Sequence, residues 1–358
     1  LSVTLQDLLP NQGIRWEKTS EFNAGLDFAF FNNRLYGNID WYYRYTDGAL
    51  APAPHIMESG MSTFYDNIID MSNRGFEFSL GGDIIRTRDF TWSTLLNLSS
   101  NRNKIEKLNN AQITRGMQDA FQVGYPAGTI KGYLVDHIIQ EQEEIDIYNE
   151  KAIEKGYTSY QSLMTGAGDF LMKDTNHDGH ITSDDRVVIA NPEPNFFGGW
   201  NNAFTYKNIT LSFLMQFSEG GEALYSTVQN DMYASIATSV GREVFENTWA
   251  PWRRDAKYPR LVAGAYDYNS TYCDRYVFKT SYLRMKNIML SYQLPAKLLK
   301  MFHATGASVY AVATNLFTIS NWPGLDPELT GSGITWMGSN SDPYPLSKTF
   351  SVGVKLQF

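Results

Sequence analysis

Nine segments of this chain alternate apolar and polar residues with a period of two. No other feature constrains the fold as much, because that period belongs to β-strands with two unlike faces. Residues 22–30 put Phe22, Ala24, Leu26, Phe28 and Phe30 on one side and Asn23, Gly25 and Asp27 on the other. After a short turn at Phe31-Asn32-Asn33-Arg34, residues 35–46 put Leu35, Ile39, Trp41, Tyr43 and Tyr45 opposite Asn38, Asp40 and Arg44, so the pair predicts a hairpin with an Asn-Asn tip. The same alternation predicts strands near 71–83, 90–101, 196–206 and 209–217. It predicts a weaker pair at 280–293 and 306–317, and a last strand over 348–358.

The connections are sorted by length. Short ones fall near 31–34, 84–89, 207–208 and 294–305, and long ones near 47–70, 102–195, 218–279 and 318–347. A soluble meander has no reason to sort its loops, whereas an outer-membrane barrel keeps short periplasmic turns and long extracellular loops. Helical segments near 141–163 and 221–247 then read as polar surface insertions. The chain contains 22 Tyr, 21 Phe and 8 Trp, which suits the aromatic girdles of a barrel. Tyr36, Trp41, Tyr42, Tyr43 and Tyr45 are placed at one such interface. A mean hydropathy of −0.34 is compatible with this, since half of each strand is polar. No run of about 18 apolar residues predicts a transmembrane helix. The net charge of −8 gives nucleic-acid binding no electrostatic support, and the single Cys273 has no partner for an intrachain disulfide.

Residues 348–358 put Phe350, Val352, Val354, Leu356 and Phe358 on one face, an aromatic-ended strand similar to the assembly signal of outer-membrane barrels. An odd count of nine strands, with the last ending in the periplasm, predicts that the chain begins in an extracellular loop and that earlier strands are missing. The start at Leu1 without a signal-peptide pattern points to a processed chain or a fragment.

A set of ordered segments carries a family resemblance. They are Trp16–Thr19 leading into 23–42, NRGFEFSL at 73–80, NRNKI at 101–105, and PNFFGGWNNAFTYKNITLSF at 194–213. YLRMKNIMLSYQLP at 282–295, ATNLFTISNWPGLDPEL at 313–329 and YPLSKTFSVGVKLQF at 344–358 complete the set. Together they resemble the C-terminal half of SusC/RagA-type TonB-dependent outer-membrane transporters. The resemblance implies an all-β fold, the last strands of a 22-stranded antiparallel barrel whose plug and first strands lie outside this chain. It also implies a SusD-like surface lipoprotein as partner, energy from TonB acting through the absent N-terminal region, and an oligosaccharide or peptide as ligand.

The sharpest local motif is Asp174-Thr175-Asn176-His177-Asp178-Gly179-His180-Ile181-Thr182-Ser183-Asp184-Asp185, which fits an EF-hand-type loop. Asp174, Asn176 and Asp178 offer side-chain oxygens, Gly179 permits the turn, His180 offers its carbonyl, and Asp185 closes the shell of a structural Ca2+. Asp in place of Glu at the twelfth position shortens the closing arm, and no flanking EF helices stand out. A metal-free turn capped by its own Asx side chains is the competing account.

Catalytic signatures are missing: there is no HExxH, GxSxG, Walker A or GxGxxG, and the five histidines lack zinc spacing. The expectation is a transporter and no enzyme. Glu143-Glu144 reads as a solvated face. Trp249, Trp252, Trp322 and Trp336 fall in long loops, where their rings could stack on a ligand. A complete small barrel acting as porin or adhesin, and a soluble calcium-stabilised glycan-binding sandwich, remain as alternatives.

Overall fold

A computed structural model describes residues 11–54, 63–109, 121–232, 239–262, 268–295, 299, 305–328, 339–340 and 346–357. Nine antiparallel strands form one continuous wall. They are β1 (Lys18–Phe30), β2 (Leu35–Pro54), β3 (Thr63–Arg86), β4 (Phe90–Leu108), β5 (Pro194–Tyr206), β6 (Ile209–Gly220), β7 (Tyr282–Gln293), β8 (Gly306–Thr314) and β9 (Thr349–Gln357). Each pairs with its neighbour in sequence, and β1 and β9 are the two edges of the described sheet. Three left-handed residues, Phe31, Asn32 and Asn33, make the first turn, and left-handed Lys207 makes the turn between β5 and β6. The turns are tied together at their end of the wall: Lys207 donates to the Asp89 carbonyl at 2.8 Å, and Asn208 Nδ2 donates to the Gln293 carbonyl at 2.9 Å.

The pairing puts a largely apolar face on one side of all nine strands. It runs through Leu26, Ile39, Phe78 and Leu98 in β1–β4. It continues through Trp200 and Phe204 of β5, Leu211 and Phe213 of β6, Leu290 of β7, Ala311 of β8 and Val352 of β9. Many of these side chains face outward without cover, with Leu26 63 % and Val352 81 % exposed. A soluble monomer rarely leaves more than a few hundred Å² of contiguous apolar surface to water, so a band nine strands wide requires lipid. Both indole N–H groups on this face bond within the wall, as lipid favours: Trp92 Nε1 donates to Asn202 Oδ1 at 3.1 Å and Trp200 Nε1 to Thr94 Oγ1 at 2.8 Å, while Asn202 Nδ2 is buried without a partner.

The opposite face is polar. Glu21 pairs with Arg44 at 2.8 Å, and Tyr42 donates to Asn101 Oδ1 at 2.9 Å. This placement corrects the interfacial assignment of Tyr36 and Tyr42, since only Trp41, Tyr43 and Tyr45 lie on the lipid side. The rings of Tyr36 and Tyr42 lie over their cross-strand partners Gly81 and Gly75, where a Cβ would come within 2.6 and 2.7 Å of them. Tyr310 covers Gly353 in the same way, filling the gap that a strand glycine leaves.

Two other expectations change. The supposed loop over 47–70 is mostly strand, because β2 and β3 run for 20 and 24 residues. A tilted membrane crossing takes only about 9–11, so this ribbon extends beyond the wall, leaving 55–62 outside the described residues. The weak alternation of β7 arises from a bulge between Met285 and Asn287, which places Lys286 and Asn287 together on the polar side.

The long connections are no loose polar insertions. The described residues of 130–193 and 221–281 pack into a single body whose core includes Ile139, Ile145, Phe170, Met172, Leu224, Val228, Tyr258 and Tyr276. Helix α1 (Gln142–Glu154) buries Ile145 and Ala152 in it, and is shorter than the predicted 141–163. In place of one helix over 221–247, the described residues there form a strand at Glu222–Tyr225 and two short helices, Ser226–Met232 and Arg242–Asn247. Cys273 lies inside the core, where burial pushes its thiol up to about 12 and leaves it unreactive. Asp169 is fully buried and ties the two insertions together, accepting from Arg260 Nε at 2.6 Å, Arg260 Nη2 at 2.7 Å and Asn269 Nδ2 at 2.8 Å.

Candidate metal centre and loop aromatics

The loop 174–185 sits in this body between two short strands. It leaves Phe170–Met172, which pairs with Val135–Ile138, and ends in a 3-10 turn at Ser183–Asp185 before Val187–Ala190. No EF helices flank it. Gly179 adopts φ 101°, a left-handed conformation open to glycine, and its N–H donates to Asp174 Oδ2 at 2.8 Å. Asn176 Oδ1 accepts from the Asp178 N–H at 2.9 Å, and Asp178 Oδ1 from the His180 N–H at 2.9 Å. The last bond holds the Asp178 carboxyl below its usual range. Lys155 Nζ donates to the Asp178 carbonyl at 3.0 Å, and the His180 ring stacks on Tyr157 at 3.9 Å.

Asp185 is fully buried and acts as the clip of the loop. Its Oδ1 accepts from the Thr175 N–H at 2.9 Å and its Oδ2 from the Thr182 N–H at 2.8 Å, completing a capping box. Asp174 Oδ1, by contrast, is buried with no hydrogen-bond partner. Among the described residues no Lys or Arg pairs with Asp174 or Asp185. A hard cation fits a buried, unpartnered carboxylate oxygen of this kind. No three His, Cys, Asp or Glu side chains converge among the described residues, so Asn176, backbone carbonyls and water would supply the other ligands.

The four tryptophans part ways. Trp322 is 7 % exposed and packs edge-on against Tyr225 at 5.3 Å, so its ring is core and offers no face to a ligand. Trp249 is half-buried over Gly168 and donates from Nε1 to Gln140 Oε1 at 3.1 Å. Trp252 is open, at 83 % exposure. Trp336 lies outside the described residues. Of the terminal-strand signal, Phe350 and Leu356 point outward, paired with Ala313 and Ala307, and Phe358 lies outside the described residues.

Glu144 does more than sit on a solvated face: it accepts from the Gln140 N–H at 3.0 Å and pairs with His137 Nε2. Motif reading also missed Glu193, whose Oε1 accepts from Asn103 N at 2.7 Å and Asn101 Nδ2 at 2.9 Å where the long connection re-enters the wall. It missed Arg284 as well, which is 1 % exposed on the polar face of β7. Spacing gives no signal for either, because their partners are distant in sequence.

Comparison with known proteins follows this geometry. Residues 4–133 match the family described as TonB dependent receptor-like, beta-barrel. The chain is 32 % identical to TonB-dependent receptor P3 of Formosa agariphila, an alignment covering 99 % of the chain and 35 % of that protein. It is 31 % identical to TonB-dependent receptor SusC of Bacteroides thetaiotaomicron, covering 97 % of the chain and 32 % of SusC. The chain therefore spans about a third of the length of the curated relatives it matches. Its fold resembles the RagAB peptide importer in the closed-closed state, with a TM-score of 0.76, 24 % identity, and coverage of 97 % of this chain and 36 % of that one.

A two-faced antiparallel wall, matched by that family over residues 4–133 and aligned along its length with these receptors, defines part of a β-barrel of the TonB-dependent receptor class, a class of Gram-negative outer-membrane proteins. Within that class its sequence is similar to that of SusC along 97 % of the chain, and its fold is similar to that of RagAB.

Proposed function

We propose that the chain forms part of the wall of an importer that carries oligosaccharides or peptides across the outer membrane. TonB energises it through parts of the protein outside this chain, and a SusD-like lipoprotein partners the long-loop side. The observation that carries this is the largely apolar, lipid-facing side of the wall opposite a polar one, in a chain aligned along 97 % of its length with SusC. On this account the folded loop body stands on the extracellular side, since long loops of such barrels do, and Trp252 is its ligand-facing aromatic. The test is purification of the full-length protein from membranes, with deletion strains grown on single glycans or on peptides. Co-purification of a surface lipoprotein and TonB-dependent growth on one nutrient class support the proposal. Growth unchanged by loss of the gene and of TonB would sink it.

The loop 174–185 serves as a structural Ca2+ site that stiffens the body. Calcium at a hundredfold over its Kd then stabilises the body by about 2.7 kcal/mol, and Asp174→Ala removes that gain. A melting curve of the body that is the same in calcium and in EDTA would refute the site while leaving the transport proposal untouched.

A further inference from the structure

After β8 the chain leaves the wall and returns to it at the same residue. Thr318–Ser320 pairs with Tyr282–Arg284 at the end of β7. The chain then turns through Trp322-Pro323-Gly324 and comes back with Asp326 and Glu328. Arg284 holds both ends. Its Nε donates to Thr318 Oγ1 at 3.0 Å, its Nη2 to Asp326 Oδ1 at 2.5 Å and its Nη1 to Glu328 Oε2 at 2.5 Å. Glu328 is held further by Gln216 Nε2 at 3.4 Å and Lys286 Nζ at 3.6 Å. Charges balance locally, two cations against two carboxylates.

The tip of this ring is inserted elsewhere. Trp322 lies against Tyr225 at 5.3 Å and Phe278 at 6.3 Å, residues of the two paired strands Glu222–Tyr225 and Val277–Lys279 of the loop body. The Trp322 N–H donates to Ser320 Oγ at 3.0 Å, and Ser320 Oγ donates to the Ser281 carbonyl at 2.8 Å, which fixes the angle at which the tip departs.

We propose that Arg284 staples residues 318–328 into a closed ring whose tip, Trp322, locks the loop body to the barrel wall, so that body and wall move as one unit. Only a planar fork with several donors in fixed directions reaches three acceptors arriving from three sides, so lysine does not replace it. Removing the guanidinium leaves Asp326 buried without its cation, while Glu328, 29 % exposed, keeps only Lys286 as a cation, and an unpaired buried carboxylate does not stay in place. The ring then opens, and the tip loses the support that holds it among Tyr225 and Phe278.

The test is amide hydrogen exchange on the full-length protein in its membrane. In Arg284→Met, exchange rises at least tenfold in 318–328 and also in 222–228 and 277–279, while the turns at 31–34 and 207–208 keep wild-type rates. Arg284→Lys behaves as the Met variant does. Faster exchange confined to 318–328 would show a local staple and overturn the coupling. Should Arg284→Met fail to assemble, Trp322→Ala reads the same link from the other end: it loosens 318–328 if ring and body are joined, and unchanged rates there overturn the proposal.

Discussion

The wall and the loop body are built from one chain by opposite rules. In the wall every strand pairs with its sequence neighbour, and apolar side chains point away from the protein toward lipid. In the body apolar side chains point inward, and the contacts that hold it span long stretches of sequence, such as Asp169 with Arg260 and the Tyr133 N–H with the Tyr272 carbonyl at 2.8 Å. The wall follows from a local period, whereas the body follows from which distant segments meet. A substitution should therefore act by face in the wall and by partner in the body.

The largest expected effect is in the body. Asp169→Ala leaves Arg260, Asn269 Nδ2 and the Gly166 N–H without their common acceptor. Because Arg260 keeps a third of its side chain in water, the cost falls near the low end of that for a broken buried pair, about 3 kcal/mol. Limited proteolysis should cut within 130–193 and 221–281 at far lower protease, while the barrel keeps its heat-modifiable mobility on gels. Loss of both together would mean that wall and body fold as one cooperative unit.

In the wall the contrast is between neighbours on opposite faces. Ile39 faces lipid and Asn38 faces the lumen beside Asp40, whose Oδ2 accepts from Asn38 Nδ2 at 2.8 Å. Ile39→Arg should cost about 2–4 kcal/mol in unfolding from vesicles, the range for a charge on the lipid face near the midplane. Asn38→Arg should cost less than about 1 kcal/mol, with two carboxylates, Asp27 and Asp40, close by in register. Equal costs at both positions would break the assignment of faces.

The same contrast explains what the sequence makes legible. Period two exposes the strands, because each residue of β1 or β6 carries its own evidence of which way it faces. It gives no hint that Tyr36 and Tyr42 are lumen residues chosen to cover Gly81 and Gly75, since that choice resides in the neighbouring strand. The bulge that places Lys286 and Asn287 on one side shows in sequence only as a lapse of alternation. For the loop 174–185, residue types and spacing announce the turn and its Asx bonds. They do not tell that Asp185 closes the loop through backbone N–H groups while Asp174 Oδ1 is left without a partner. Trp322 looks like any loop tryptophan until Tyr225 and Phe278, far away in sequence, surround it. Ile145 and Ala152, spaced seven apart on a helix of low amphipathicity, gave little warning of a core.

The smallest effect separates wall from body by pH. His137, on the short strand Val135–Ile138, contacts Glu144 of α1 through Nε2 and Asp136 through Nδ1 at 2.9 Å. Burial pulls the imidazole down, but the bonds to Glu144 and Asp136 outweigh it and raise the pKa above 6.5. Burial likewise pushes Glu144 up, and the Gln140 N–H and His137 reverse that and lower it below 4.5. A raised histidine contributes stability that is fully present below its unfolded value and is lost as pH rises through the folded one. A lowered glutamate contributes above its unfolded value, so the pair acts between about pH 4.5 and 6.5 and fades toward alkaline pH. With side chains 40 % and 32 % exposed, the contribution is below about 1 kcal/mol. Amide exchange in 135–138 should therefore be slower at pH 6 than at pH 8.5 once corrected for intrinsic rates, and His137→Gln should abolish that difference while β1–β9 show none in either protein. A corrected pH slope that survives in His137→Gln would assign the protection to packing of α1 alone.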